Sequence, residues 1–595
     1  MADGTLVDDA RPKTEQRPET EVPERLTALL VAFGAFTWQA VLVLRGYFWQ
    51  DDFVLIDRAA NQPLTGAYLF ANHNGNITPG GNLLVWLVTK LAPVNYPVAV
   101  APILVLHLLA LFLAWRLLTA IFGTRWAVLV PFTAFALAPA LLTSMLWWAQ
   151  ALETVPLVVA LLGALLAQTR FLARGRKWHA VAAIAWTIGG LFFWDKALLI
   201  PLAVVGLTLL LSEAKRLRAL WPLWAVYAIL DLAYLIAYLS HTDGPGGIGS
   251  LDGVFLLIGK LIGNTFLPWS FGGPWTAAEP YTTVWAFSAT WVPLAVGLLT
   301  VLVIAGSIVL RRSRAVLAWL VLAGYLLAIV ALLAVARLPQ FGPDAGNDPR
   351  YVADAVPMAV LCASFAFLRP ADQVEPVEPR TLRWLRPTLA VVTAAFVLGT
   401  VVTAMTAWPQ YSHAHAKDYV RTAQEALGRQ PETTLYDTGV PQDVMVSWFG
   451  PIARTSTVLG HLPGVPAFDA PGGDLRMIDG LGIPRPIELV GAVPAPAGPV
   501  RDCGYAVGNE PTEVPLTSTK DGQRLVLRLG YYSAQQAPGS VQAGVTSQDV
   551  TFQAGLHVLY VVVDGPVAKV RLWHNNTGAT VCVSDAVVGR PLPSL

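Results

Sequence analysis

The chain has 595 residues, of which 55% are hydrophobic and only 13% charged, with 21 Trp. That balance is far from the average of soluble domains and reads as a protein that is mostly membrane. A net charge of +1 with no basic tract leaves no electrostatic footprint for nucleic acid, so that class of partner is excluded.

Residues 1–25 are polar and acid-rich and read as a disordered cytoplasmic tail. From Leu26 the apolar stretch is long enough to span and lacks a small-residue cleavage site, which makes it a signal anchor. Eleven apolar spans are expected, near 26–46, 95–122, 126–145, 152–169, 180–194, 197–212, 219–239, 286–310, 315–336, 351–368 and 388–408. With the N-terminus inside, the inner loops carry fifteen Lys and Arg and the longer outer connections carry six. This is the bias expected of a cytoplasmic N-terminus. An odd number of spans then places everything after Trp408 outside the cell membrane.

Three outer loops follow from this topology. Residues 47–94 open with Tyr-Phe-Trp-Gln-Asp-Asp-Phe and contain an apolar piece, 82–91, about half the length needed to cross, which is expected to lie in the interface. Residues 240–285 contain a similar short piece, 254–262, and then Trp269 and Trp275 among Pro-Gly turns. Residues 337–350 are rich in turn-forming Pro, Gly and Asn.

After the last span the composition changes. Residues 409–499 read as a mixed extracytoplasmic connecting region that begins with a helix over 418–427. Period-two runs at 523–529, 555–563 and 568–574 predict antiparallel strands and a β-sandwich over 500–595. In that exported setting Cys503 and Cys582 read as one disulfide tying its first strand to a late one, the alternative being two unpaired thiols, while Cys362 lies in a span. The fold class is therefore an α-helical polytopic membrane protein with a C-terminal, mainly-β extracytoplasmic domain.

Asp51 and Asp52 stand just past the first span, at the outer interface where a lipid-carried substrate presents its head group. This arrangement resembles the GT-C superfamily of polyprenyl-phosphate-sugar-dependent glycosyltransferases: an acidic pair in the first outer loop, interfacial helices after it, many spans over 26–408, and an exported C-terminal domain. Further echoes are His73-Asn74-Gly75-Asn76 before Pro79, Phe193-Trp194-Asp195-Lys196 between two spans, and Arg350-Tyr351 ahead of Pro357. Trp147-Trp148 is not followed by Asp, so the oligosaccharyltransferase branch is not the match. Actinobacterial arabinofuranosyl- and mannosyltransferases, with carbohydrate-binding-like sandwiches, are nearer in layout.

The resemblance implies a multi-pass plasma-membrane enzyme, an inverting hexosyl- or pentosyltransferase, moving sugar from a polyprenyl-phosphate donor to a cell-envelope glycan, lipid or protein acceptor. Asp51 or Asp52 is the expected base for the acceptor hydroxyl. The phosphate leaves without a general acid, given cationic stabilisation from Arg350, Lys196 or Lys260, or from a divalent cation on Asp51 and Asp52. His73, Asn74, Asn76 and Tyr351 are further substrate-binding candidates.

Bland readings stand beside each of these. His73, Asn74 and Asn76 suit an ordinary turn; Lys196 suits an ion pair with Asp195; Arg350 suits a snorkelling anchor. Asp231 inside a span is a functional candidate by rule or a buried hydrogen-bonding group, Glu153 is a weaker acid candidate, and His107 reads as packed core. The rival functions are a transporter or flippase, and a non-catalytic envelope-assembly protein.

Overall fold

A computed structural model describes residues 22–241, 250–275, 291–373, 379–429 and 433–594. The expected tail therefore lies outside the described residues up to position 21, as do 242–249 and 276–285 of the second outer loop.

Ten helices among the described residues are long and apolar enough to cross a membrane. The central one, Trp148–Arg174, is apolar all round because neighbours cover it on every side; 89% of its most apolar window is buried. Gly163 in this helix admits the Trp186 indole of the neighbouring helix, since a Cβ there would fall 2.4 Å from that ring.

Three segments separate these ten helices from the eleven expected spans. The stretches expected at 180–194 and 197–212 form the shorter helices Lys177–Leu191 and Ile200–Leu211, joined by a 3-10 turn at Asp195–Leu199. Although short, they run from the basic end, where Arg216 donates to the Leu172 carbonyl, to the Asp51 end, where the Gly80 N–H donates to the Phe192 carbonyl (2.7 Å), and back. Conversely, the piece expected as a short interfacial segment at 254–262 belongs to a helical run over Leu251–Ser270, continuous through a π-helical stretch at Gly259–Phe266. Its Leu257 and Leu261 backbone lies directly over Gly346, in the loop that follows helix Ser313–Ala336. Tyr238 before it donates to the Gly75 carbonyl (2.8 Å) while the following helix ends at Arg311 beside Leu368, so this run stays at the Asp51 end and leaves the parity of the spans unchanged.

The bundle has two chemically distinct ends. Helix Tyr96–Phe122 starts with the Tyr96 ring edge-on to Phe48 (centroids 5.1 Å apart) and finishes beside Arg125. At that second end Arg125 donates to the Arg369 carbonyl, Arg311 Nη2 to the Leu368 carbonyl (3.2 Å), and Arg314 to the Gln373 side chain. The basic loops thus gather at one end and Asp51 and Asp52 sit at the other.

Helix Ala414–Leu427 buries Tyr419, Val420, Ala423 and Leu427 in a core shared with Phe53 and Tyr68 of the segment that follows the first helix. The last part of the chain is a β-sandwich. A four-stranded sheet runs in the order Thr546–Phe552, Ala537–Ala543, Val567–His574, Thr512–Lys520. It faces a larger sheet built on Gly555–Val563, Leu525–Ser533 and Val581–Pro593, and Val541, Phe552 and Val570 of the first pack with Leu527, Val561 and Val583 of the second. The larger sheet continues through Pro484–Pro494, Leu475–Ile478 and Thr434–Tyr436, so it runs across position 500 into the connecting region. Two of those strands have three and four residues, too short for alternation to announce them. Cys503 and Cys582 form a disulfide with Cα atoms 4.8 Å apart, linking the start of the short strand Tyr505–Val507 to the final strand.

Candidate active site

The site begins with the aromatic run after the first helix. Phe48 is 1% exposed and sits edge-on to Tyr96 and Trp148, which fixes the chain where it leaves the bundle. Gln50 then takes φ 53°, an unusual conformation for a residue with a Cβ. Long-range bonds hold it there: its N–H donates to the Val444 carbonyl (3.1 Å), and its side-chain oxygen accepts from the Val446 N–H (2.8 Å).

Helix Asp51–Asn61 starts immediately afterwards, with both acids in the first turn where the helix dipole favours negative charge. Adjacent residues of a helix point about 100° apart, so the two carboxylates part company. Asp52 is fully buried; its Oδ2 accepts from the Trp49 N–H (2.9 Å) and its Oδ1 from the Ala149 N–H (2.8 Å), capping helix Trp148–Arg174. Burial, then the charge of Asp51, push its carboxyl well above the usual range. Asp51 instead faces a cavity of about 410 Å³. Trp147 Nε1–H donates to its Oδ1 (3.1 Å), Asn74 Nδ2–H to its Oδ2 (3.4 Å), and His73 Nε2 lies 3.3 Å from that same oxygen.

His73 and Asn76 pair across a two-residue hairpin whose corner, Asn74-Gly75, has φ of 51° and 82°. Asn-Gly suits that turn because both corner residues need positive φ. Turn chemistry and site placement coincide here: the hairpin aims His73, Asn74 and Asn76 at the cavity. Arg337 Nη1 donates to the Asn74 carbonyl (2.9 Å) and Nη2 to Asn76 Oδ1 (3.0 Å), while Asn76 Nδ2 donates to Glu153 Oε1 (2.9 Å).

On the facing wall Arg350 Nε lies 2.8 Å from Asp348 Oδ2, and the guanidinium sits over the Tyr351 ring at 4.7 Å and the Trp147 ring at 5.6 Å. Arg350 lines the cavity that Asp51 faces. Asp348 is 1% exposed; burial raises its carboxyl pKa and the Arg350 charge opposes that shift.

Lys196 departs from its expected role, as does Asp52. Buried Lys196 donates to the Tyr351 carbonyl (3.0 Å) and forms an ion pair with Asp354, which also accepts from Tyr325 Oη–H (3.0 Å). It is a strut beneath the Arg350-Tyr351 turn and does not line the cavity. Its partner is Asp354 because the tertiary fold brings the two loops together, whereas sequence adjacency suggested Asp195. Lys260 pairs with exposed Asp344, and neither lines the cavity. Asp231 does not line it either, and His107 is core, its Nε2 2.7 Å from Gln39 Oε1.

Asp51 and Asp52 do not fit a shared divalent cation. Both oxygens of Asp52 accept backbone N–H groups, the geometry of a cap, and no group of three or more His, Cys, Asp or Glu placed to hold a metal occurs among the described residues. Sequence reading missed Trp147 and Arg337, and missed Trp448 and Phe449, which line the cavity from the C-terminal region. Trp147 belongs to the Trp147-Trp148 pair, weighed only for the Asp that does not follow it, and Arg337 counted only as a loop charge; nothing local marks Trp448.

No family model matches the chain, and no curated protein sequence does. Among solved structures it is similar to ArnT from Cupriavidus metallidurans bound to undecaprenyl phosphate: 15% identity, 77% of this chain and 92% of that one, TM-score 0.44. It is also similar to arabinosyltransferase EmbB from Mycobacterium smegmatis (13% identity, 98% of this chain and 66% of that one, TM-score 0.36). A third is arabinofuranosyltransferase AftD from Mycobacteria (11% identity, 96% and 60%, TM-score 0.36). The chain spans less than two thirds of the length of these two mycobacterial proteins.

Proposed function

We propose that the chain is a GT-C-type membrane glycosyltransferase that moves a sugar from a polyprenyl-phosphate donor to a cell-envelope acceptor, in a multi-pass plasma-membrane setting with its C-terminal sandwich outside. The observation that carries this reading is one cavity at the acid-bearing end of an apolar bundle, lined by the Asp51 carboxylate together with the Arg337 and Arg350 guanidiniums. A base and cations in one site suit a reaction in which a hydroxyl is deprotonated while a phosphate departs.

In this reading the acceptor oxygen attacks the anomeric carbon as Asp51 takes its proton. The bond from that carbon to the phosphate oxygen breaks, and its electron pair leaves with the polyprenyl phosphate. A single displacement inverts the anomeric configuration. Trp147 and Asn74 hold the Asp51 oxygens, which orients the carboxylate without consuming every lone pair. Arg350 binds two phosphate oxygens at once, as a planar guanidinium can.

The test is mass spectrometry of envelope glycans and polyprenyl phosphate sugars after deletion, with complementation by the parent and by Asp51→Asn. A missing residue, a rising donor pool and rescue by the parent alone are expected. Rescue by Asp51→Asn at the parent level would overturn the assignment.

A further inference from the structure

The exported region reaches the cavity through one short segment, residues 441–449, anchored on the acid-bearing turn. Trp49 Nε1 donates to the Asp443 carbonyl (2.8 Å), Gln50 N–H to the Val444 carbonyl (3.1 Å), and Val446 N–H to the Gln50 side chain (2.8 Å). Val444, Met445 and Val446 are 1%, 0% and 3% exposed, so the base of the segment is fixed. The next aromatic pair is presented rather than buried: Trp448 is 54% exposed and stacks on Phe449, with centroids 4.2 Å apart and planes at 18°. Both line the cavity that holds Asp51. Gln50 bonds this segment and directly precedes Asp51, so platform and carboxylate are held by the same turn.

The geometry points to Trp448 and Phe449 as a stacking subsite for a neutral sugar ring of the acceptor, an assignment that rests on the glycosyltransferase reading and names its acceptor side. The wall formed by Gln50, Trp448 and Phe449 carries no formal charge, whereas the cations that suit a phosphate, Arg337 and Arg350, belong to the membrane domain. One face of a sugar ring presents weakly positive C–H groups, the complement of the negative face of an indole. An acceptor ring resting on this platform approaches Asp51 from the side of the C-terminal domain. A half-exposed indole on a rigid base also loses little freedom when a ligand covers it.

The experiment uses the full chain in phosphatidylcholine nanodiscs, probed by saturation-transfer-difference NMR with oligosaccharides released by mild acid from the source cell's envelope. Saturation should reach sugar C–H protons in the parent, and Trp448→Ala should weaken glycan binding about tenfold. Trp448→Phe, which keeps an aromatic face, should stay within about threefold. Undecaprenyl phosphate binding should be equal in all three. The assignment is overturned by parental glycan affinity in Trp448→Ala, by parallel loss of undecaprenyl phosphate binding, or by no saturation transfer in the parent. Asp51→Asn separates the two levels: it should bind glycan and fail to transfer. Transfer at the parent rate by Asp51→Asn, with glycan binding lost in Trp448→Ala, would remove the base and leave the subsite standing.

Discussion

Replacing Asp51 and Asp52 separately by Asn should give two different failures, although the residues are neighbours. In Asp51→Asn the remaining side-chain oxygen accepts from Trp147 Nε1, and the new amide has His73 Nε2 at 3.3 Å as an acceptor once Asn74 turns its own amide. The fold is kept, with a stability change under about 1 kcal/mol. Loss of the base costs about a hundred- to ten-thousand-fold in rate, or about 2.7–5.5 kcal/mol of barrier. In Asp52→Asn the amide must face either the Trp49 N–H at 2.9 Å or the Ala149 N–H at 2.8 Å, donor against donor. One buried N–H is then unpaired, a cost of about 1–3 kcal/mol of stability. The Asp52 carboxyl also binds its proton more tightly folded than unfolded, since burial and Asp51 raise its pKa. Its stabilising contribution is full below the ordinary carboxylate range and is lost as pH rises through the raised value, and Asp52→Asn flattens that slope. The assay pairs initial rates of sugar transfer with thermal unfolding of the purified protein across pH. Parental turnover in Asp51→Asn, or a catalytic loss in Asp52→Asn with parental melting at every pH, would refute the division of labour.

Arg350→Lys keeps the charge but loses the two-point geometry and the stacking on Tyr351, so kcat/KM for the lipid-linked donor should fall about tenfold, and unchanged donor kinetics would return Arg350 to packing. Lys196→Met leaves Asp354 buried with Tyr325 as its remaining side-chain partner and should destabilise the protein by about 3–5 kcal/mol, measured by thermal unfolding in detergent. Adding Asp354→Leu should recover most of that stability; no recovery would contradict the strut. Replacing both Cys503 and Cys582 by Ser opens a link of sequence separation 79 and should cost the sandwich about 4–5 kcal/mol, read as earlier proteolysis of the C-terminal domain.

Hydropathy, loop charge and the acidic pair were legible from the chain because each is local: transfer of a side chain into lipid depends on that side chain, and Asp51 follows the first span whatever the rest of the fold does. The Cys503–Cys582 bond was legible for a similar reason, two cysteines in one polar, strand-rich region. What lies far away in sequence decided the chemistry. Gln50 holds its unusual backbone because Val444 and Val446 bond to it, and that turn starts the helix on which Asp51 faces the cavity while Asp52 faces Trp49 and Ala149. Lys196 is a strut because Asp354, on a separate loop, meets it inside the protein. Trp448 reaches the cavity because its segment packs on Trp49 and Gln50, nearly four hundred residues earlier. Composition and period describe which residues leave water; direction within a site comes from partners that only the folded chain brings within bonding distance.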